Sequence, residues 1–483
     1  MISRFAHLAH GFAELLQENQ RVTLLANLGS HSMELTNNAR IAVIGGGPAG
    51  TFFTYFLLDL AHRLDLEFQV DIYEQKQFSG LGAKGCNHCG GLISESLIQA
   101  LATDGINIPS NIFLSTIDRY VLHSGEGDFA IKSVVDEMRI ATVYRGGGPK
   151  KMGTDGSSLH LLQSFDGFLL SLAVAKGARH IQEQVIDIAY QEGFPQVATK
   201  SGRTERYDLL VGAIGVNASG PALFQKAGFG YKPPRTVRAY IMELYLGKDL
   251  VKQYTGNAMH ILMLDLPGVK QAAVIPKNNF MTICLVGEKI AKEEIEKFME
   301  HPKVKKFIPN DFKHSEISCH CFPKLAIGVP RHPFNDRIVL VGDCCISRLY
   351  KDGIGSAYRM ARACASVVVF RGISKQDFKK YYWPICMETA EDNRIGHFIF
   401  WLADFFKKSR FIQHVVFYLF REKSVLKPYR HAMSERIWNV FTGSSSYKDI
   451  LFRFVLPLSI LRLTSVFIKE PSDITDEEIN HSL

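Results

Sequence analysis

The sequence predicts an α/β chain: a Rossmann-like dinucleotide-binding domain, an inserted and mainly antiparallel β domain, and a helical C-terminal region. Three observations carry that expectation. The apolar strand Ile41-Ala-Val-Ile runs into Gly45-Gly-Gly-Pro-Ala-Gly and then a helical run from Thr51. Short β-like runs dominate residues 228–325. Arg337-Ile-Val-Leu-Val ends in Gly342-Asp343, and Gly353-Ile-Gly opens a second helix, so the first domain resumes after the insertion. At 483 residues the chain has room for two or three domains. The expected division is an N-terminal helical extension at 1–38, the dinucleotide domain at 39–227 and 326–375, a substrate domain at 228–325 with further strands near 110–150, and the helical region at 376–483.

Gly45, Gly47 and Gly50 stand in the G-x-G-x-x-G spacing. The first allows a tight turn, the second lets backbone approach a pyrophosphate, and the third lets helix pack closely on strand. Pro48 and Ala49 complete the step into the helix, whose N-terminal N–H groups suit a phosphate. Phe68-Gln-Val-Asp-Ile-Tyr supplies the second strand, and Glu74 follows at the distance where an acidic side chain takes ribose hydroxyls.

The remaining elements follow in order. Phe5, Leu8, Phe12, Leu15 and Leu16 give the first residues the spacing of an amphipathic helix, and a polar segment leads from Gly29 to the first strand. After Glu74 a glycine-rich loop carries Cys86, His88 and Cys89; its glycines let backbone pass close to something. Met138–Tyr144 reads as a strand that ends in Tyr144-Arg-Gly-Gly-Gly-Pro, where Arg145 either approaches a ligand or is an ordinary exposed loop arginine. Leu161–Ala178 has helical spacing, and Tyr207-Asp-Leu-Leu-Val-Gly is a buried strand. Runs at Arg238–Leu246, Gln271–Pro276 and Phe280–Val286 build the inserted sheet, followed by a Glu- and Lys-rich helix near Lys289–Glu300.

Nine cysteines in so long a chain, several in close pairs, fit a reducing compartment better than a disulfide scaffold. The first residues lack the continuous apolar core of a secretory signal, so the expected location is cytoplasmic. The net charge of +8 comes with no recognised nucleic-acid module and no dense basic run, so nucleic acid is not an expected partner. In the last hundred residues Phe398-Ile-Phe-Trp-Leu-Ala, Phe411–Phe420 and Val455–Leu461 are apolar and aromatic. Charges interrupt them before the ~18 residues that a spanning helix needs. Lys407, Lys408, Arg410, Arg421, Lys423, Lys427 and Arg430 outnumber Asp404 and Glu422 there. Two readings stand: a segment peripheral on an anionic membrane surface, or a helical cap over the substrate domain.

GGGPAG with Glu74, the Cys89-Gly-Gly-Leu-Ile-Ser segment, Phe165-Asp166 with Gly177-Ala178 after it, and Gly342-Asp343 followed by Gly353-Ile-Gly occur in one order along residues 40–365. In this the chain resembles flavoproteins of the para-hydroxybenzoate hydroxylase fold and, among them, the geranylgeranyl reductase family. The resemblance makes the dinucleotide domain an FAD-binding domain. It implies Gly45, Gly47 and Gly50 at the pyrophosphate, Glu74 at the adenosine ribose, Gly342-Asp343 at the ribityl chain, and Arg145 at the cofactor. The helix opening at Gly353-Ile354-Gly355 would point its N-terminus at the flavin's pyrimidine edge, where it stabilises negative charge. Two departures alter the surroundings: Ile214 stands where many relatives have Asp, and Cys344, Cys345, Ile346 and Tyr350 replace small residues and a proline. The activity implied is FAD-dependent reduction of C=C bonds in an isoprenoid or other lipid-like substrate. The alternatives are a monooxygenase or halogenase of the same fold, and a membrane-docked flavoprotein that passes electrons to or from a redox protein. There is no second nucleotide fingerprint, and NADPH, ferredoxin and quinol all stand as electron donor.

Three cysteine pairs need a role: Cys86 and Cys89 around His88, Cys319 and Cys321 around His320, and Cys344 with Cys345. On the resemblance, the first and last pairs approach the isoalloxazine. They read as buried small hydrophobes, as a redox dithiol, or as a thiolate metal or iron–sulfur site drawn from Cys86, Cys89, Cys319 and Cys321. Cys86, His88 and Cys89 are the candidate catalytic residues, since their loop would face the flavin.

Overall fold

Strand Ala39–Ile44 is apolar along nearly its whole length, as a strand covered on both faces must be, and it lies inside a six-stranded sheet. The computed structural model describes residues 33–78, 90–125, 127–132, 140–146, 163–217, 219–288, 290–310, 312, 317–411, 413–414 and 427–455. The strand order of the first sheet is Phe334–Asn335, Ile338–Leu340, Leu209–Gly212, Ala39–Ile44, Phe68–Tyr73, Arg179–Ile181. All neighbours are parallel except the edge hairpin, and Ile41 pairs with both Leu209 and Val70. Helix Pro48–Arg63 packs on this sheet and against helices Phe165–Ala175 and Gly353–Phe370. Phe52 and Phe56 meet Tyr358 edge-on, each at 5.6 Å between ring centres.

The inserted sheet is antiparallel save for one pair. Its order is Ile317–Cys321, Thr236–Tyr245, Phe280–Gly287, Val269–Lys277, Ala258–Leu262, Arg119–His123, Asp128–Lys132, with Lys324–Ala326 also on Thr236–Tyr245. The strands at 119–132 come from the first half of the chain, and Arg119–His123 joins Ala258–Leu262 in parallel. A smaller sheet of Leu92–Ile93, Ile140–Val143 and Phe113–Ile117 borders it through Val269–Lys277.

Local chemistry sets the helix ends. The expected helix over 161–178 runs Phe165–Ala175, with Ser164 Oγ accepting from the Gly167 N–H at 3.4 Å. The Glu- and Lys-rich helix is Lys292–Glu300, where the Glu294 carboxylate reaches back to the Ala291 N–H at 3.1 Å. The C-terminal region is helical: Trp383–Lys408, Lys427–Thr442 and Tyr447–Val455. Among the described residues no helix is long and apolar enough to cross a membrane. The helical spacing expected around Phe5–Leu16 and most of the apolar runs at 411–420 and 455–461 lie outside the described residues.

Candidate functional site

At the C-terminal ends of the parallel strands the chain order reverses beside Ala39–Ile44, which is where open α/β sheets leave a crevice. The glycine turn fills one wall of it. Gly45 has φ +108°, and a Cβ there would stand 2.3 Å from the Ala213 carbonyl oxygen. A Cβ on Gly50 would stand 2.0 Å from the Gly45 carbonyl oxygen. Gly47 is the N-cap of helix Pro48–Arg63, with extended backbone, no capping side chain and no acid in the first turn, so the helix N-terminus is left for an anion. Glu74 lies beside the turn, its carboxylate accepting from the Gly46 N–H at 3.0 Å and the Lys76 N–H at 2.8 Å.

The second motif closes on the first. Gly342 has φ +75°, and its missing Cβ would meet the Ala49 methyl at 2.6 Å. Asp343 therefore enters the same cavity as Gly45, Gly47, Pro48 and Ala49. Burial pushes the Asp343 carboxyl up, while a Ser347 hydrogen bond and the Arg145 charge pull it down. Arg145 also lines the cavity and is held by a two-pronged bond to the fully buried Asp166, Nε to Oδ2 at 2.5 Å and Nη2 to Oδ1 at 2.7 Å. It is thus an oriented cation, and the exposed-loop alternative falls away.

Helix Gly353–Phe370 begins at the cavity, with Gly353 and Ile354 in the wall. At Gly355 a Cβ would stand 2.2 Å from the Asp352 carboxylate, which would have to turn aside. Two cations that sequence reasoning missed stand just before this helix. Arg348 is 8% exposed, donates through its two Nη groups to the carbonyls of Gly443 and Ser445, and has no hydrogen-bond partner on Nε. Lys351 Nζ donates to the Val440 carbonyl at 3.1 Å and lies 4.1 Å from the centre of the Phe441 ring. Burial pushes the Lys351 amine well below the ordinary lysine value, and Arg348 adds to that. The signal available was the cluster Arg348-Leu-Tyr-Lys-Asp352 set into an otherwise apolar stretch between two recognised motifs.

The cavity, about 690 Å³, continues from this polar end over the face of the inserted sheet. There its wall is Ile241, Met259, Ile261, Ile275 and Val286, with Cys284 among them. Helix Lys427–Thr442 covers it: Phe441 and Thr442 face inward, and Trp438 stands edge-on to the cavity residue Tyr120 at 5.2 Å.

The cysteines are placed apart. Cys86, His88 and Cys89 lie outside the described residues; Gly90 and Gly91, which follow them, line the cavity. Cys319 and Cys321 sit on the edge strand, where Cys321 pairs with Ile241 and Ile241 with Cys284, so that three thiol-bearing positions share one face of the sheet. Among the described residues no group of three or more His, Cys, Asp or Glu is arranged to hold a metal. The expectation that Cys344 and Cys345 approach the isoalloxazine is corrected: both are fully buried and outside the cavity wall. Cys344 Sγ faces the Gly212 and Val341 carbonyls at 3.3 and 3.1 Å, and Cys345 Sγ lies 3.9 Å from Cys386 Sγ. The tight turn at Gly342 directs Asp343 outward and both thiols into the core, where burial pushes the Cys344 thiol up to about 12.

No family model and no curated protein sequence matches this chain. Solved structures do. A geranylgeranyl bacteriochlorophyll reductase-like protein from Thermoplasma acidophilum superposes with a TM-score of 0.59 at 13% identity, covering 89% of this chain and 100% of its own. A flavoprotein/dehydrogenase from Cytophaga hutchinsonii gives 0.58 at 15% identity, with 89% and 99% covered. The flavin-dependent halogenase CmlS gives 0.56 at 16% identity, with 89% and 78% covered. The fold of this chain is therefore the one these flavoproteins share.

Proposed function

We propose that the chain is an FAD-dependent oxidoreductase that saturates C=C bonds of an isoprenoid or similar lipid-like substrate. One observation carries the reading: a single cavity joins the Gly45–Gly50 turn and Asp343 to a long apolar wall of Ile241, Met259, Ile261 and Ile275. The residues present fit FAD. Gly45 and Gly50 leave no room for a Cβ inside the tight turn, Gly47 leaves the helix N-terminus uncapped at the cavity, and the buried Arg348 Nε is an unpartnered donor at the cavity wall. Gly45, Gly47 and Gly50 with the N-terminus of helix Pro48–Arg63 would hold the pyrophosphate, Glu74 the adenosine ribose, and Asp343 the ribityl chain. Gly353, Ile354, Arg348 and Lys351 would flank the pyrimidine edge, where their positive potential favours an anion.

When bound, FAD supplies the hydride that such a reduction needs. The chain supplies the rest. Helix Lys427–Thr442 and the sheet wall exclude water and orient an apolar chain. Lys351 is the side chain suited to deliver a proton, since burial makes its ammonium a stronger acid than that of a surface lysine. NADPH and ferredoxin are the proposed electron donors.

The test is anaerobic incubation of the dithionite-reduced protein with geranylgeranylated phospholipid, read by mass spectrometry. A gain of two hydrogens per reduced double bond is expected, with Lys351→Met lowering kcat, normalised to bound flavin, about 100-fold. Absence of lipid product there, together with oxygen uptake and an oxygenated or halogenated product in a parallel aerobic incubation, would move the protein to the monooxygenase or halogenase reading that the likeness to CmlS represents.

A further inference from the structure

Helix Trp383–Lys408 has two unlike faces. Its inner face is spent on the protein: Asn393 bonds the backbone of Ser347 and Leu349, Phe400 packs edge-on to the cavity residue Tyr350 at 5.0 Å, and Lys407 Nζ donates to the Lys270 carbonyl at 2.8 Å. Its outer face carries Phe398, Trp401, Leu402 and Phe405 at i, i+3, i+4 and i+7, and these are 46%, 61%, 41% and 56% exposed. Phe398 and Trp401 stack on each other at 5.8 Å, so the rings form one patch. Phe452, on the neighbouring helix Tyr447–Val455, is 69% exposed.

The charge at the C-terminal end of this patch is basic. Arg394 precedes it on the same stripe, and Lys408 and Arg410 follow it, all exposed. The acid nearest its centre, Asp404, is turned inward and neutralised by Lys270 at 2.9 Å and Lys407 at 2.6 Å. Glu388 and Glu391 lie further back toward the helix start. An aromatic stripe whose far end is basic matches the boundary of an anionic bilayer, with rings among the acyl chains and cations at headgroup level.

We propose that this face docks the protein on the surface of a bilayer containing anionic lipid, without spanning it. The assignment goes beyond the proposed reaction and does not depend on it. It gives that reaction a geometry, because the docked helix is backed by Leu349 and by Tyr350, which stands at the cavity wall, and a lipid-like substrate would have a short path inward.

Trp401 is a built-in reporter, since Trp438 is 2% exposed and Trp383 packs on Phe334. The full-length protein is mixed with vesicles of phosphatidylcholine, with or without phosphatidylglycerol. Expected are sedimentation with the anionic vesicles, a blue shift of tryptophan emission that Trp401→Phe removes, and quenching by brominated acyl chains. Phe398→Asp with Phe405→Asp weakens partitioning at least about tenfold, and Lys408→Gln with Arg410→Gln does so by about the same factor at low salt. Equal circular dichroism spectra show that each variant is folded, and if the aspartate pair does not fold, the brominated-lipid quenching of Trp401 decides. No sedimentation, no Trp401 quenching, or a dimer in solution that the aspartate pair splits would overturn the assignment; the last outcome would give the face to a second copy of the chain.

Discussion

Around Gly45, Gly50 and Gly342 a methyl group has nowhere to go, whereas around Ile241, Met259 and Ile261 the cavity is walled by side chains that share only their apolar character. The two ends meet different demands. A polar ligand with fixed bonds needs backbone at fixed distances, and the chain meets that with missing Cβ atoms and carboxylates placed by strand ends. An apolar ligand needs volume, which many side-chain sets can supply. Substitution should therefore be punished at the glycine end and graded at the sheet end.

The largest expected effect tests the first half of that contrast. Gly50→Val puts a branched side chain where a Cβ would already stand 2.0 Å from the Gly45 carbonyl and 3.1 Å from Val43. It should destabilise the domain by about 4 kcal/mol or more and leave the protein without flavin absorbance, measured by urea unfolding and by the visible spectrum after reconstitution with FAD. Normal flavin content in a soluble Gly50→Val protein would remove the glycine turn from the site.

The sheet end has one place where it too should be unforgiving. Lys277 Nζ donates to Glu243 Oε1 at 2.6 Å, and Thr282 shares the same oxygen at 3.0 Å, all within the buried face that runs under Gly91. Lys277→Met alone strands a buried carboxylate and should cost about 3–5 kcal/mol, whereas Lys277→Met with Glu243→Leu should recover most of it. A double variant no better than the single one would show that the sheet end depends on this polar contact as rigidly as the turn depends on its glycines.

The same contrast explains what the sequence discloses. The α/β class, the inserted antiparallel sheet and the Gly45–Gly50 turn are legible because each rests on neighbours in the chain: an apolar strand, a spacing of glycines, alternating β runs. Arg348 and Lys351 escape notice because their meaning comes from carbonyls of Val440, Gly443 and Ser445, about a hundred residues on, which no local pattern reveals. Cys344 and Cys345 mislead for the converse reason. Adjacency to Asp343 in sequence does not fix side: Asp343 lines the cavity, while both thiols are buried away from its wall. Strands 119–132 likewise join the large sheet through a parallel pairing that only the register shows.

The smallest effect concerns the strand that carries Met259 and Ile261. Between them His260 points away from the cavity, its Nε2 donating to the Thr255 carbonyl at 3.0 Å, which leaves Nδ1 to accept from His123 Nε2 at 2.9 Å. A second proton on His260 would require His123 to carry its own proton on Nδ1, 3.0 Å from the Asp128 carboxylate, and accept at Nε2. Burial lowers His260 to about 4, with the charges of His123 and Arg119 pushing the same way and the Thr255 bond and Asp128 opposing. Since the folded value lies below that of the unfolded chain, about 6.5, the unfolded state takes up a proton in the window between them that the folded state does not. Stability should fall as pH drops from about 6.5 to about 4, by on the order of 3 kcal/mol, and this contribution should level off below that. Urea midpoints taken across the window, compared with those of His260→Asn, isolate it: the variant should show a flatter acid limb, while a parallel limb would place the acid sensitivity elsewhere. If the limb flattens, the apolar wall of the cavity is held in register by a buried imidazole pair on the far side of its own strand, and mild acid should loosen that wall before it disturbs the glycine turn.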